Sequence, residues 1–142
     1  MSSAETNAIL NQVIVLLNRS LAVYLGDARP WMGGAGPEVQ ETLAAIVGDQ
    51  QQSADRLSEL VLENGGDVMS GEFPMTFTSL HDLSIEFCLG KLIQRQQQDV
   101  QFLQQAVAAL ERSPLAKSLV EETLGAAKGH LESLQELAVS LK

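Results

Sequence analysis

Few side chains in this 142-residue chain could do chemistry, and they fall at regular helical spacing. His130 is one of two histidines, and imidazole is both the commonest metal ligand and a proton carrier near neutral pH. Asp99 stands three residues after Gln96, so the two share a helix face, where a carboxylate could join His130 on a single metal ion. Gln50, Gln96 and Tyr24 occupy seam positions on their own segments and offer neutral hydrogen-bonding groups. Each candidate has an ordinary alternative. A histidine halfway along a bundle is expected to hydrogen-bond to Gln50, Gln96 or Tyr24. A one-residue change of phase carries Asp99 to the solvated rim, the expected place for an unpaired carboxylate. The triplets Gln50 to Gln52 and Gln96 to Gln98 read as solvated faces with one member of each turned inward.

The remaining candidates are weaker. His81, Asp82 and Glu86 could form a surface metal site, although helix capping and the helix dipole already account for acids there. Cys88 reads as a small buried hydrophobe, because no neighbouring cation would lower its pKa. Trp31, in "ARPWMGG", is expected to pack on one end of the molecule or to contact a partner.

Four helical segments position these residues. The first spans about 4–25 and ends at "GDARPWMGGAGPE", where prolines and glycines forbid continuation. The second spans about 37–64, from Pro37 in the first turn to a left-handed cap at Gly65. The third spans about 79–112, with Ser79 and Asp82 at capping-box spacing. Ser113 is expected to cap the fourth, which starts at Pro114 and runs to 142. The seams follow alternating steps of three and four residues: Leu10, Val13, Leu17, Leu21 and Tyr24 on the first helix, and Leu43, Ile46, Gln50, Ala54, Leu57 and Leu60 on the second. On the third they pass through Leu92, Gln96, Asp99, Leu103 and Ala106, and on the fourth through Leu119, Thr123, Ala127, His130 and Leu134. No strand-like alternation competes, so the expected class is all-α, a single-domain four-helix bundle over residues 1–142.

The segment "GGDVMSGEFPMTFT" sets the expected topology. At about 3.3 Å per residue it reaches about 46 Å, enough to return along a second helix of about 42 Å. The second and third helices would then be parallel, joined by a long crossover between two antiparallel hairpins. Val68, Met69, Phe73, Met75 and Phe77 are expected to pack along the bundle.

Composition narrows the partners. Nine basic against eighteen acidic residues give a net charge of -9, which repels phosphate backbones and argues against nucleic acid. A single cysteine excludes an intrachain disulfide and fits a reducing, cytoplasmic setting. "MSSAETNAIL" lacks a basic n-region, and Asn11, Gln12, Asn18 and Arg19 interrupt the apolar run that follows, so neither a signal peptide nor a membrane span is expected. The run "AILNQVIVLLNRSLAVYL" is nevertheless apolar on more than one face, wider than a bundle seam needs, and this predicts a homodimer.

Two stretches carry a family resemblance. "LNRSLAVYL" is similar to the start of the first helix of the ferritin-like superfamily, bacterioferritin-type chains included, and "QQQSADRL" resembles its second-helix pattern Glu-x-x-His-Ala-Asp-Arg. The resemblance implies a bundle whose inward carboxylates and Glu-x-x-His pairs hold a di-metal centre, and it implies that the homodimer pairs through the first and second helices. Carried onto this chain, the ligand positions fall on Tyr24 with Val23 beside it, on Gln50 and Ser53, near Gln94 or Gln96, and on Ala127 and His130. Only His130 retains a ligand type. Iron needs anionic oxygen donors, and amides are neutral and weaker, so no cofactor is expected. A shell-forming assembly is not expected either, since nothing resembles the short fifth helix of cage-forming ferritins.

The expected function is thus a non-catalytic ferritin-like protein, a dimeric binding or scaffold module lacking the di-iron oxidase centre. The alternative from the enzyme class is a mononuclear metal or small-molecule enzyme using the polar cluster Tyr24, Gln50, Ser53, Gln96, Asp99 and His130. A third expectation is an adaptor that meets a protein partner through the Trp31 loop.

Overall fold

The computed structural model describes residues 2–27, 36–80 and 85–141. Trp31 and its loop, His81 and Asp82, and the side chains of Ser79 and Glu86 lie outside the described set, and with them the Trp31 contact, the surface metal site and the Ser79–Asp82 capping box. Among the described residues the chain is all-α: α1 (Ser3–Asn18), α2 (Leu21–Asp27), α3 (Gly36–Glu63), a short 3-10 helix (Met75–Leu80), α4 (Ile85–Ala109) and α5 (Pro114–Ser140). No strand occurs among them.

The first expected helix is broken in two, and Ser20 is the reason. Its hydroxyl accepts a hydrogen bond from the Val23 backbone N–H at 3.1 Å, capping α2, while α1 closes with Arg19 N–H on the Val15 carbonyl. Serine side chains compete with the helix ladder in this way, which is why serine prefers caps to helix interiors. Ser2 plays the same part for α1, accepting from Glu5 N–H at 3.1 Å. α3 ends as expected: Gly65 adopts φ +79°, and the N–H groups of Gly65 and Gly66 return to the Leu62 and Val61 carbonyls. Ser113 departs from expectation. Its side chain makes no capping bond to α5 and instead meets Thr6 Oγ1 at 2.8 Å, tying the start of α5 to α1. The expected start of the third helix near 79 also moves, since the 3-10 helix through Leu80 precedes α4 at Ile85.

Two apolar clusters form the core. One collects α1 and the N-terminal half of α5 with the C-terminal halves of α3 and α4, centred on Leu10, Ile14, Leu57, Leu103, Leu110 and Val120. The other joins α2, the first halves of α3 and α4 and the end of α5 around Leu25, Ile46, Phe77, Leu92 and Leu134. Between them the seam positions are polar.

The stretch between α3 and the 3-10 helix lies along α1 and α2. Asn64 Nδ2 donates to Asn7 Oδ1 at 3.1 Å. Asn11 donates to the Asp67 carbonyl and accepts from Met69 N–H, each at 2.9 Å. Arg19 Nε bonds the Ser70 carbonyl at 3.1 Å, and Tyr24 stacks edge-on with Phe73, centroids 5.3 Å apart. Of the five apolar residues expected to pack here, Phe77 is buried and Phe73 half-buried, but Val68, Met69 and Met75 are exposed. The two aromatic rings are the residues of this set that pack inward, against Tyr24. The extra apolar breadth of the first helix is thus used in part within the chain. The Ser3–Gly26 stretch holds an 18-residue window of mean hydropathy 1.5, long and apolar enough by composition to cross a membrane, and half of that window is buried within the chain.

Candidate functional site

Five of the six sequence-predicted site residues, Gln50, Ser53, Gln96, Asp99 and His130, line one small cavity at the polar layer, with Asp49, Leu16, Leu17 and Thr123. The cavity measures about 10 Å³, room for roughly one water molecule. Helical spacing accounts for three of them, Gln50, Gln96 and Asp99, since every step of the α3 and α4 seams from Leu43 to Leu60 and from Leu89 to Leu110 is buried.

The sixth, Tyr24, is elsewhere. It joins an aromatic group with Phe73 and Phe77 at 5.3 and 5.6 Å between centroids. The first-helix residues that reach the cavity are Leu16 and Leu17, roughly two turns earlier at 3.6 residues per turn. The ligand register carried over by resemblance therefore fails on this helix, and the break at Ser20 lies between the two levels.

Hydrogen bonding in the layer is specific. Ser20 Oγ donates to Gln50 Oε1 at 2.7 Å, so the residue that breaks the first helix also anchors the α3 amide. Gln96 Nε2 donates to the Ala127 carbonyl at 3.0 Å, and Thr123 Oγ1 donates to the Leu119 carbonyl at 3.0 Å. In each glutamine triplet one member is buried and the other two are exposed, as expected.

His130 takes a different partner from those expected. Nε2 lies 2.8 Å from Asp49 Oδ2, with the imidazole 12 % and the carboxylate 58 % exposed. Asp49 sits one residue before the seam position Gln50, so a search restricted to seam residues misses it. Ser20 is missed for the same reason, although a serine within an apolar helix is itself a signal of a cap.

Asp99 is inward-facing, at 9 % exposure, rather than on the rim. Burial raises its carboxyl pKa to about 7, opposed by the positive Arg95 one turn earlier on α4. The periodicity of α4 overrides the preference of a carboxylate for water because the group can stay protonated near neutrality, which removes most of the desolvation cost. Cys88 is fully buried and burial raises its thiol pKa, as for an inert core residue.

A wider groove of about 250 Å³ opens between α3 and α5, lined by Asp49, Gln52, Ser53, Arg56, Leu57, Leu119, Glu122, Thr123 and Ala126. Arg56 and Glu122 pair across it at 2.9 Å. Asp49, Ser53, Thr123 and Ala126 line both spaces, so the groove adjoins the inner cavity. Among the described residues no three of His, Cys, Asp and Glu come together to hold a metal ion. The layer offers the buried Asp99 carboxyl, two amides, hydroxyls and an imidazole engaged by the more exposed Asp49 carboxylate, a set suited to neutral and singly charged guests. Comparison with protein-family models and with curated proteins finds no match for this chain.

Proposed function

We propose that this chain is a ferritin-like protein without oxidase chemistry, a homodimeric binding or scaffold module built on two antiparallel hairpins and a long crossover. The crossover is supported by the successive contacts of residues 64–77 with Asn7, Asn11, Arg19 and Tyr24. A parallel α3 and α4 fits the meeting of both C-terminal halves in one apolar cluster. The observation that carries the functional reading is the donor set of the central layer. Gln50, Ser53, Gln96 and Ala127 stand where the resemblance would place metal ligands, and Asp99 is the one carboxyl buried there. Two adjacent iron ions need several anionic oxygens to offset their charge, and the buried Asp99 with the exposed, His130-bound Asp49 beside neutral amides does not supply them.

Aerobic addition of ferrous iron tests this directly. Purified protein, desalted and analysed for metal, should retain far less than one iron per chain and oxidise ferrous iron no faster than buffer. Two irons per chain with accelerated oxidation would end the reading. The small-molecule alternative is favoured by a specific feature, the adjoining of the α3–α5 groove and the cavity at Asp99.

A further inference from the structure

Eight polar side chains are buried among the described residues: Thr6, Asn7, Asn11, Ser20, Gln50, Gln96, Asp99 and Thr123. Seven of them hydrogen-bond within the chain. Asp99 alone does not, although it is the one that can carry a full charge and it faces the inner cavity. A buried carboxyl without a donor costs stability and is the kind of exception that calls for an occupant. Two neighbours have capacity to spare: the oxygen of Gln96, whose amide nitrogen serves Ala127, and the hydroxyl of Ser53, for which no protein partner exists among the described residues.

The occupant must complement what is present. It needs a positive charge for the carboxylate, N–H donors for Asp99 and for the Gln96 oxygen, and a head no larger than roughly one water. Guanidinium is too large for the inner space, and a quaternary ammonium has no N–H to give. A divalent ion would find only Asp99 and Asp49, the latter engaged by His130, and no group of three ligand side chains comes together among the described residues. The adjoining groove of about 250 Å³ accommodates a short body, with Leu57, Leu119 and Ala126 offering apolar contact. We propose that the inner cavity and the α3–α5 groove form one binding site for a small primary amine, its ammonium head on Asp99 and its chain lying in the groove.

The inference deepens the binding-module reading and rests on the centre not holding iron. Iron found at two per chain would end that reading, whereas a metal-free chain that ignores amines ends only this one. The test is calorimetric titration of the full chain at pH 8 and constant ionic strength with n-butylammonium, methylammonium and tetramethylammonium chlorides. Butylammonium should bind saturably and at least threefold more tightly than methylammonium, tetramethylammonium should give no saturable signal, and Asp99→Asn should weaken butylammonium at least tenfold. Because that variant could misfold, the wild-type Asp99 side-chain carboxyl resonance is followed in parallel and should shift with saturation. Equal responses to all three salts, an unaffected Asp99→Asn, an unmoved resonance or no saturable binding would each overturn the proposal.

Discussion

Asp99 makes the stability of this fold depend on pH in a direction opposite to that of salt-bridged carboxylates. Carboxylates held by salt bridges have depressed pKa values and stabilise as pH rises, whereas burial raises Asp99 to about 7. Between the ordinary aspartate pKa of about 4 and that value, the folded chain binds more protons at this position than the unfolded chain. Stability therefore falls as pH climbs through that window and levels off above it, by up to about 4 kcal/mol for this group alone. Denaturant melts of the wild type and of Asp99→Asn from pH 4 to 8 should diverge, with the variant the more stable at pH 8 and its curve lacking that decline. Parallel curves would place the carboxyl in water. This residue also marks how far the sequence could be read. Its spacing from Gln96 and Leu103 gave the inward orientation, but its charge argued for exposure, and no spacing rule contains the pKa shift that reconciles them. The partner of His130 was illegible for a simpler reason: Asp49 lies off the seam, and a cross-helix contact between α3 and α5 depends on the rotation of both helices.

At the scale of elements, regular helices were legible and irregular ones were not. The α3 seam from Leu43 to Leu60 is buried at each expected position, and Pro114 and Gly65 mark helix ends as their backbone chemistry requires. The break at Ser20 depends on a side chain choosing Val23 N–H and Gln50 over solvent, a tertiary decision. The stretch after Gly65 shows the same limit, since no period tells which of its apolar residues face inward. Its close approach to α1 is nonetheless testable at Gly71. This glycine has φ +65°, and a Cβ on it would lie 2.5 Å from Val15 Cγ1. Gly71→Ala should cost on the order of 1–3 kcal/mol from backbone strain and overpacking together. Adding Val15→Ala should recover the steric part and leave the backbone part, so a thermal melt of the double variant should fall between the single variant and the wild type. An unchanged melting temperature in Gly71→Ala would detach this segment from α1.

For the whole molecule, the apolar balance bears on assembly. The breadth of the first helix predicted a homodimer, yet residues 66–77 cover part of that surface through Asn11, Val15 and Arg19. What remains apolar and exposed near the same end includes Leu62 on α3, Val68 and Met69 on the segment bound to Asn11, and Leu115 at the start of α5. Ile9 and Leu16 of α1 are half-buried, and a stable pairing must bury roughly 1,200–2,000 Å² in total. A charge of -9 on each copy opposes the pairing, so association should strengthen as salt screens the repulsion. Sedimentation velocity at micromolar concentration should therefore give twice the 15.3 kDa chain mass at 0.15 M salt and a shift toward the single chain at 0.01 M. Leu62→Glu, which adds charge where the two copies would meet, should favour the single chain at both salts while leaving its helical content unchanged. A single-chain mass at every salt and concentration would confine the broad apolar face of α1 to intramolecular packing and remove the dimer from the proposed function.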